Sequence, residues 1–294
     1  MTDAPSASSP SAPPDAHSAP AGAPASAPQG WWARLDPLAM LMGLAFAVMW
    51  SSAFTAAKFV VADAPPFLAL TARFAVAGAL ACGLAAAMGQ SARLSRKQWG
   101  LVVVFGLCQN SLYLGLNFLA MTRIDGGLAA IIASTLPLFV AAGAWAFLSE
   151  RPNRLGAAGL ALGFAGVAVI MGARIEGGAD PLFVGLAALG ALALAVATLV
   201  VRGVSPGPNV LMIVGLQMLV GGLGLAPFGL MFESVADVTW SLPMLLGVGY
   251  SIVFSGILAT LVWFLLVRRI GPTNAAAFHF LNPCLGVAVA ALFL

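Results

Sequence analysis

The sequence predicts an all-α polytopic membrane protein of two inverted five-helix repeats, with nine transmembrane helices present and a tenth missing at the C-terminus. Three observations lead there. Hydrophobic residues make up 61% of the 294 and charged residues 8%, with mean hydropathy +1.00, whereas a soluble domain carries roughly 25% charge. Nine apolar stretches reach the length of about 20 residues that a bilayer crossing needs. They are 38–60, 66–88, 99–121, 126–148, 155–172, 181–201, 208–231, 241–267 and 272–294. The third observation is an internal self-similarity, taken up below.

The chain begins as a different material. Ala, Pro and Ser supply 22 of the first 30 residues, with no apolar periodicity, so 1–30 is expected to be a disordered tail. It has neither the basic start nor the continuous apolar centre of a secretory signal. Trp31, Trp32 and Arg34 are then expected to form an interfacial anchor ahead of the first span. Connections between spans are short and leave no room for a soluble catalytic domain. Lys and Arg fix the orientation, because short basic loops stay on the cytoplasmic side. Arg34, Arg93, Arg96, Lys97, Arg151, Arg154, Arg202, Arg268 and Arg269 fall on the N-terminal side, against Lys58, Arg123 and Arg174 opposite. The N-terminus is therefore predicted to be cytoplasmic.

Sliding the chain by 146 residues lays "RIDGGLAAIIASTLPLFVAAGAWAFL" (123–148) over "RIGPTNAAAFHFLNPCLGVAVAALFL" (269–294), with nine of 26 positions identical. The shared Arg-Ile, mid-helix Pro and final Phe-Leu carry more weight than the Ala matches. A five-helix unit is odd, so its second copy crosses the membrane in the opposite sense, as in the inverted repeats of secondary transporters. The predicted organisation is a tail at 1–30, a first repeat at 31–172 and a second at 173–294. The second stops one residue before the charged loop that precedes the fifth helix of the first, and a tenth helix is expected to be missing.

Three segments carry a family resemblance: "WSSAFTAAKFVVADAPPFLALTARFAVAGAL" (50–80), "LPLFVAAGAWAFLSERPNRLGAAGLALGFAGVAVIMG" (136–172) and "FLNPCLGVAVAALFL" (280–294). Together they resemble the EamA-type transporters of the drug/metabolite transporter superfamily. The resemblance implies ten helices in two inverted halves. It also implies export of amino acids, related metabolites or toxic compounds from the bacterial cytoplasm, across the inner membrane.

Polar groups inside the spans mark candidate site residues, because each is costly in hydrocarbon unless it meets a partner or a cavity. Gln109, Tyr113 and Asn117 recur every four residues, and Asn110 lies three before Tyr113, which at α-helical spacing puts all four on or near one face. They either line a substrate path or bond between helices. Arg73 lies about seven residues into its helix, roughly 10 Å deep at 1.5 Å per residue. It would draw a carboxylate or, structurally, bind carbonyls at a helix end; the resemblance places it in the family's "aRF" pattern. Lys58 reads as an interfacial snorkeller. Pro137 and Pro283 occupy equivalent places and should break their helices, beside Ser134 and Thr135 in one half and His279 and Asn282 in the other. The hydroxyls would line the cavity or bond to the preceding turn. Trp50, Ser51, Ser52, Tyr250, Ser251, Ser255 and Trp263 complete the expected lining, with Trp50 and Ser51 best placed.

His279 is the candidate for proton coupling, since its ordinary pKa lies near physiological pH; a passive carrier or exchanger is the alternative. No Ser/His/Asp set, metal-spaced His/Cys cluster or paired carboxylates occur, so neither catalytic residues nor a metal or cofactor is expected. The small net charge of +3 excludes a nucleic-acid partner. The expected partners are the lipid bilayer and a small-molecule substrate: an amino acid or related metabolite, or in the alternative a toxic compound. An intramembrane lipid-modifying enzyme is the more distant alternative.

Overall fold

In hydrocarbon a chain must satisfy its own backbone N–H and C=O groups, so each apolar run becomes a helix. The computed structural model describes residues 36–148, 157–159, 161–166, 169, 177–202 and 207–293. Seven helices among them are long and apolar enough to cross a membrane: α1 (Pro37–Asp63), α2 (Pro66–Ala87), α3 (Arg96–Met121), α4 (Gly126–Phe147), α5 (Pro181–Val201), α6 (Val210–Phe232) and α7 (Leu242–Ile270). Two of the nine predicted stretches are absent from that set. The fifth lies partly outside the described residues, although its positions 157–159 and 161–166 are helical. The ninth is divided into a short α8 (Pro272–Ala276), a 3-10 stretch (Ala277–Leu281) and α9 (Asn282–Phe293). The tail with its Trp pair, and Arg151, Arg154 and Arg174, lie outside the described residues.

Local chemistry sets the ends of these helices. Asp36 caps α1 by accepting from the amides of Leu38 and Ala39, at 3.1 and 3.3 Å. Ser95 and Gln98 form a capping box at the start of α3, which satisfies two otherwise orphaned donors. Asp125 accepts from the Leu128 amide at 2.7 Å to start α4. Gly271, at φ 80°, turns the chain between α7 and α8, a conformation that costs glycine nothing.

Two spans change their winding in mid-course. Gly106–Leu114 within α3 and Ser251–Leu258 within α7 are π-helical, a form that recurs at functional sites. α4 breaks at Ser134 and Thr135 before resuming at Leu136 with Pro137 second. The 3-10 stretch likewise precedes α9, whose second residue is Pro283. A proline supplies no amide to the turn before it.

The most extensive helix pair is α2 against α6. Gly78 and Gly215 face each other where the two cross, and a Cβ on either would come within 2.9 Å of the other's carbonyl. Both ends of the pair are tied. The Glu233 carboxylate accepts from the amides of Phe67 and Leu68 at 3.0 and 2.7 Å. At the other end Gln90 Oε1 accepts from the Met212 amide, and Asn209 Oδ1 from the Ser91 amide, each at 3.0 Å. Elsewhere α1 packs on α7 and α9, while α5 packs on α3 and α4. Phe46, Trp50, Phe105, Tyr113, Leu136, Leu194 and Phe264 fill the centre.

Candidate functional site

A cavity opens between α1, α2, α3 and α7, with an empty volume of about 380 Å³ counted with its mouth. α1 contributes Trp50, Ala53, Phe54 and Ala57, a stripe at helical spacing. Arg73 comes from α2; Tyr113, Leu114, Asn117, Phe118 and Met121 come from α3; Ser255 comes from α7. The Trp50 and Tyr113 rings stack, with centroids 6.0 Å apart and planes 7° from parallel.

Besides the Tyr113 hydroxyl and the Trp50 Nε1, which has no hydrogen-bond partner, three polar side chains enter this wall. Arg73 is 5% exposed, and its guanidinium lies 5.2 Å from the Phe74 ring centre. Its Nε has no hydrogen-bond partner, and no carboxylate pairs with it among the described residues. The Asn117 amide nitrogen donates to the Tyr113 carbonyl at 3.3 Å, leaving Oδ1 without a donor. Ser255 donates to the Ser251 carbonyl at 3.4 Å, one turn back.

A second polar cluster adjoins the cavity through Trp50. The Ser51 hydroxyl donates to Asn282 Oδ1 at 3.0 Å. Asn282 Nδ2 lies 3.0 Å from His279 Nδ1; an amide nitrogen only donates, so this ring nitrogen accepts and a neutral imidazole carries its proton on Nε2. Phe46, Trp50 and Trp263 surround the imidazole edge to face, with centroids 5.2, 5.7 and 5.4 Å away. The 3-10 turn ahead of Pro283 is what sets His279 and Asn282 together against α1.

Other predicted residues lie elsewhere. Asn110 leaves the face of Tyr113 and Asn117 and reaches α6, where its amide donates to Gln217 Oε1 at 2.5 Å and to the Gln217 carbonyl at 3.1 Å. Gln109 is buried but is not part of the cavity wall. The α-helical face assumed for these residues runs through the π-helical segment, whose wider i to i+5 turns change the register. Ser134 and Thr135 donate to the Ile131 and Ile132 carbonyls of their own preceding turn, at 2.6 and 2.7 Å. Tyr250 and Ser52 share a 2.5 Å hydrogen bond between half-buried hydroxyls. The Lys58 ammonium donates to the Met121 carbonyl at 2.9 Å and the Ile124 carbonyl at 3.4 Å, at the end of α3. Phe54, Phe118 and Met121 were not singled out in the sequence, because an apolar side chain facing a cavity looks like one facing lipid. Among the described residues no three His, Cys, Asp or Glu side chains gather as a metal site.

The bundle is also tied at the ends of α1. Asp36 binds the Arg269 guanidinium through both carboxylate oxygens, the Nη2 bond being 3.1 Å. At the far end the Ser241 hydroxyl donates to Asp63 Oδ2 at 2.5 Å, and the Thr239 amide to the Asp63 carbonyl at 2.7 Å.

A multi-pass bundle of apolar helices around a small, partly polar cavity has the build of a membrane transporter. The EamA-like transporter family model matches the chain twice, over residues 37–172 and 182–294, and the chain belongs to that family. It is 29% identical over 252 residues to the uncharacterized transporter YvbV of Bacillus subtilis, covering 85% of this chain and 82% of that one. It is 25% identical over 258 residues to the uncharacterized inner membrane transporter YedA of Escherichia coli K12, covering 86% and 83%. A WAT1-related chloroplastic protein of Arabidopsis thaliana is 24% identical over 245 residues, covering 80% of this chain and 58% of that one. A protein crystal structure shares the fold, with TM-score 0.68 and 23% identity over 88% of this chain and 90% of that one.

Proposed function

We propose that this protein is a secondary transporter of the bacterial inner membrane that exports small metabolites, amino acids or related compounds, by alternating access. The observation that carries the reading is the cavity, whose walls are largely apolar and in which Trp50 Nε1, Arg73 Nε and Asn117 Oδ1 lack protein partners. Such a lining holds one small solute and orients it by a few polar contacts.

The reading includes two inverted repeats, 31–172 and 173–294. In its support, α5, α6, α7 and α8 begin 144 to 146 residues after α1, α2, α3 and α4. The π-helical segments of α3 and α7 are counterparts at the same interval, as are the interruptions ahead of Pro137 and Pro283. Packing partners also exchange: α1 lies on α7 and α9 as α5 lies on α3 and α4. Repeat interfaces are where such transporters hold substrate.

The basic residues assign the end of the bundle with Asp36 and Arg269 to the cytoplasm. The cavity reaches Met121 at the opposite end and would then face outwards. On the inner side it is closed by Phe46, Trp50, Trp263 and His279, then by the Asp36–Arg269 pair. Loading from inside requires these contacts to part and the outer mouth beside Met121 to close. His279 remains the candidate proton carrier, with passive exchange as the alternative.

The test is efflux of labelled amino acids, organic acids and cationic drugs from cells expressing the protein. Faster efflux of at least one metabolite is expected; none, with the protein verified in the membrane, refutes the exporter. Multidrug efflux is the second reading, favoured by the aromatic walls of Trp50, Phe54, Tyr113 and Phe118, and the drug arm separates it. A lipid-modifying enzyme has no catalytic constellation in its support.

A further inference from the structure

Arg73 supplies the only formal charge among the eleven residues around the cavity. It is a buried cation with no anion beside it: 5% exposed, unpaired among the described residues, and without a partner at Nε. A charge taken out of water is costly until a counter-charge or fixed hydrogen bonds compensate it. The Phe74 ring 5.2 Å away offsets that in part, but a ring face donates no negative charge. The compensating group therefore has to arrive with a ligand.

The remaining wall limits what else that ligand carries. A second cation is disfavoured, because no acidic side chain lines the cavity and Arg73 would repel it. Asn117 Oδ1 and the Tyr113 and Ser255 hydroxyls are neutral acceptors, which give an ammonium no counter-charge. A dianion such as a phosphate monoester exceeds the single positive charge of the wall, since the Lys58 ammonium beside Met121 is turned to the Met121 and Ile124 carbonyls. Phe54, Phe118 and the edges of the stacked Trp50 and Tyr113 rings offer apolar surface to the rest of the molecule.

We infer that the cavity selects monoanionic organic acids, a carboxylate on a small aromatic or apolar body, ahead of zwitterionic amino acids, and that it rejects organic cations. This rests on the cavity being the transport site, and it reorders the metabolites named for that site. The carboxylate meets the Arg73 guanidinium in a charge-assisted pair, while the apolar body lies among Phe54, Phe118 and the edges of the stacked Trp50 and Tyr113 rings.

Three ligands of like shape separate the charge classes: 3-phenylpropionate as the anion, phenylalanine as the zwitterion and phenethylamine as the cation. Binding to the purified full chain is read from its tryptophan fluorescence, since Trp50 is part of the wall, and transport is read from proteoliposomes. The anion is expected to bind tightest and to be moved, phenylalanine to bind more weakly, and the amine not to bind. Arg73→Gln should weaken the anion about 10- to 100-fold, the range of a lost charged hydrogen bond, and Arg73→Lys should weaken it less. Equal or tighter binding of phenylalanine or the amine overturns the carboxylate preference while leaving the transport cavity intact, and so does an unchanged anion affinity in folded Arg73→Gln. Failure of all three ligands to bind or move overturns this inference. If the metabolite efflux test is also negative, the transport reading falls with it.

Discussion

Replacing Gly215 by Ala tests whether the α2–α6 contact is as close as its geometry requires. The added Cβ would stand 2.6 Å from Cys82 Sγ, 2.8 Å from the Cys82 amide nitrogen and 2.9 Å from the Gly78 carbonyl. A side chain can turn aside, but two of these three atoms are backbone. Restoring an ordinary separation of 3.4 Å or more requires the helices to part by roughly half an ångström, and overpacking of this kind costs about 1–3 kcal/mol. Removing a mid-helix glycine returns about 0.8–1 kcal/mol, so the net loss is up to about 2 kcal/mol. Gly83 lies on the same helix as Gly78 with nothing within 4 Å of a built Cβ, so Gly83→Ala isolates the propensity gain alone. The assay is the thermal midpoint of each purified variant in one detergent. Gly215→Ala should melt below wild type by a few degrees and Gly83→Ala at or above it. A Gly215→Ala variant as stable as Gly83→Ala would refute the close approach of α2 and α6.

Two further outcomes follow. The Arg269 guanidinium, by its hydrogen bond to the side chain, holds the Asp36 carboxyl below the usual carboxylate range. A depressed carboxyl stabilises the fold above its ordinary value of about 3.9 and loses that contribution as pH falls through the folded value. Thermal midpoints should thus be insensitive to this pair from pH 7 to about 5 and fall on further acidification, a fall that Asp36→Asn should reduce; an equal acid-side fall in both proteins would refute the assignment. Ser134→Ala should leave transport unchanged, its hydroxyl being spent on its own helix at Ile131, whereas Asn282→Ala strips partners from Ser51 and His279 and should reduce transport at least severalfold; equal activities of the two would refute the division.

Much of the bundle was legible in the sequence because bilayer crossing imposes a length and an apolarity that composition displays directly. The ninth stretch shows the limit: hydropathy registers 272–294 as one run, but the 3-10 turn that splits it arises from backbone bonding ahead of Pro283. The site was legible in the same measure. Arg73, Tyr113, Asn117 and Trp50 stand out because polar or amphipathic groups are rare in such runs, and they meet at the cavity. Asn110 shares their chemistry but is directed to Gln217 by a π-helical segment that no 3.6-residue periodicity reveals. Ser134 was ambiguous in principle, since a hydroxyl that bonds its own turn and one that meets a solute have the same sequence signature.

The meeting of Gly78 with Gly215 has a counterpart that a shift of 144 residues generates: Gly78 moves onto Gly222, Gly215 onto Thr71, and a Cβ on Gly222 would lie 3.5 Å from the Thr71 carbonyl. Under the proposed inverted repeat, an interface that maps onto itself in this way would have the isologous form of a two-fold homodimer, held within one polypeptide. In a true dimer one substitution alters both contacts at once, so a surface must stay complementary to its own image. Two halves of one chain would carry no such constraint, and the proposed repeat sets Thr71 opposite Gly222 beside Gly215 opposite Gly78 as a pair of sites at which the two faces differ.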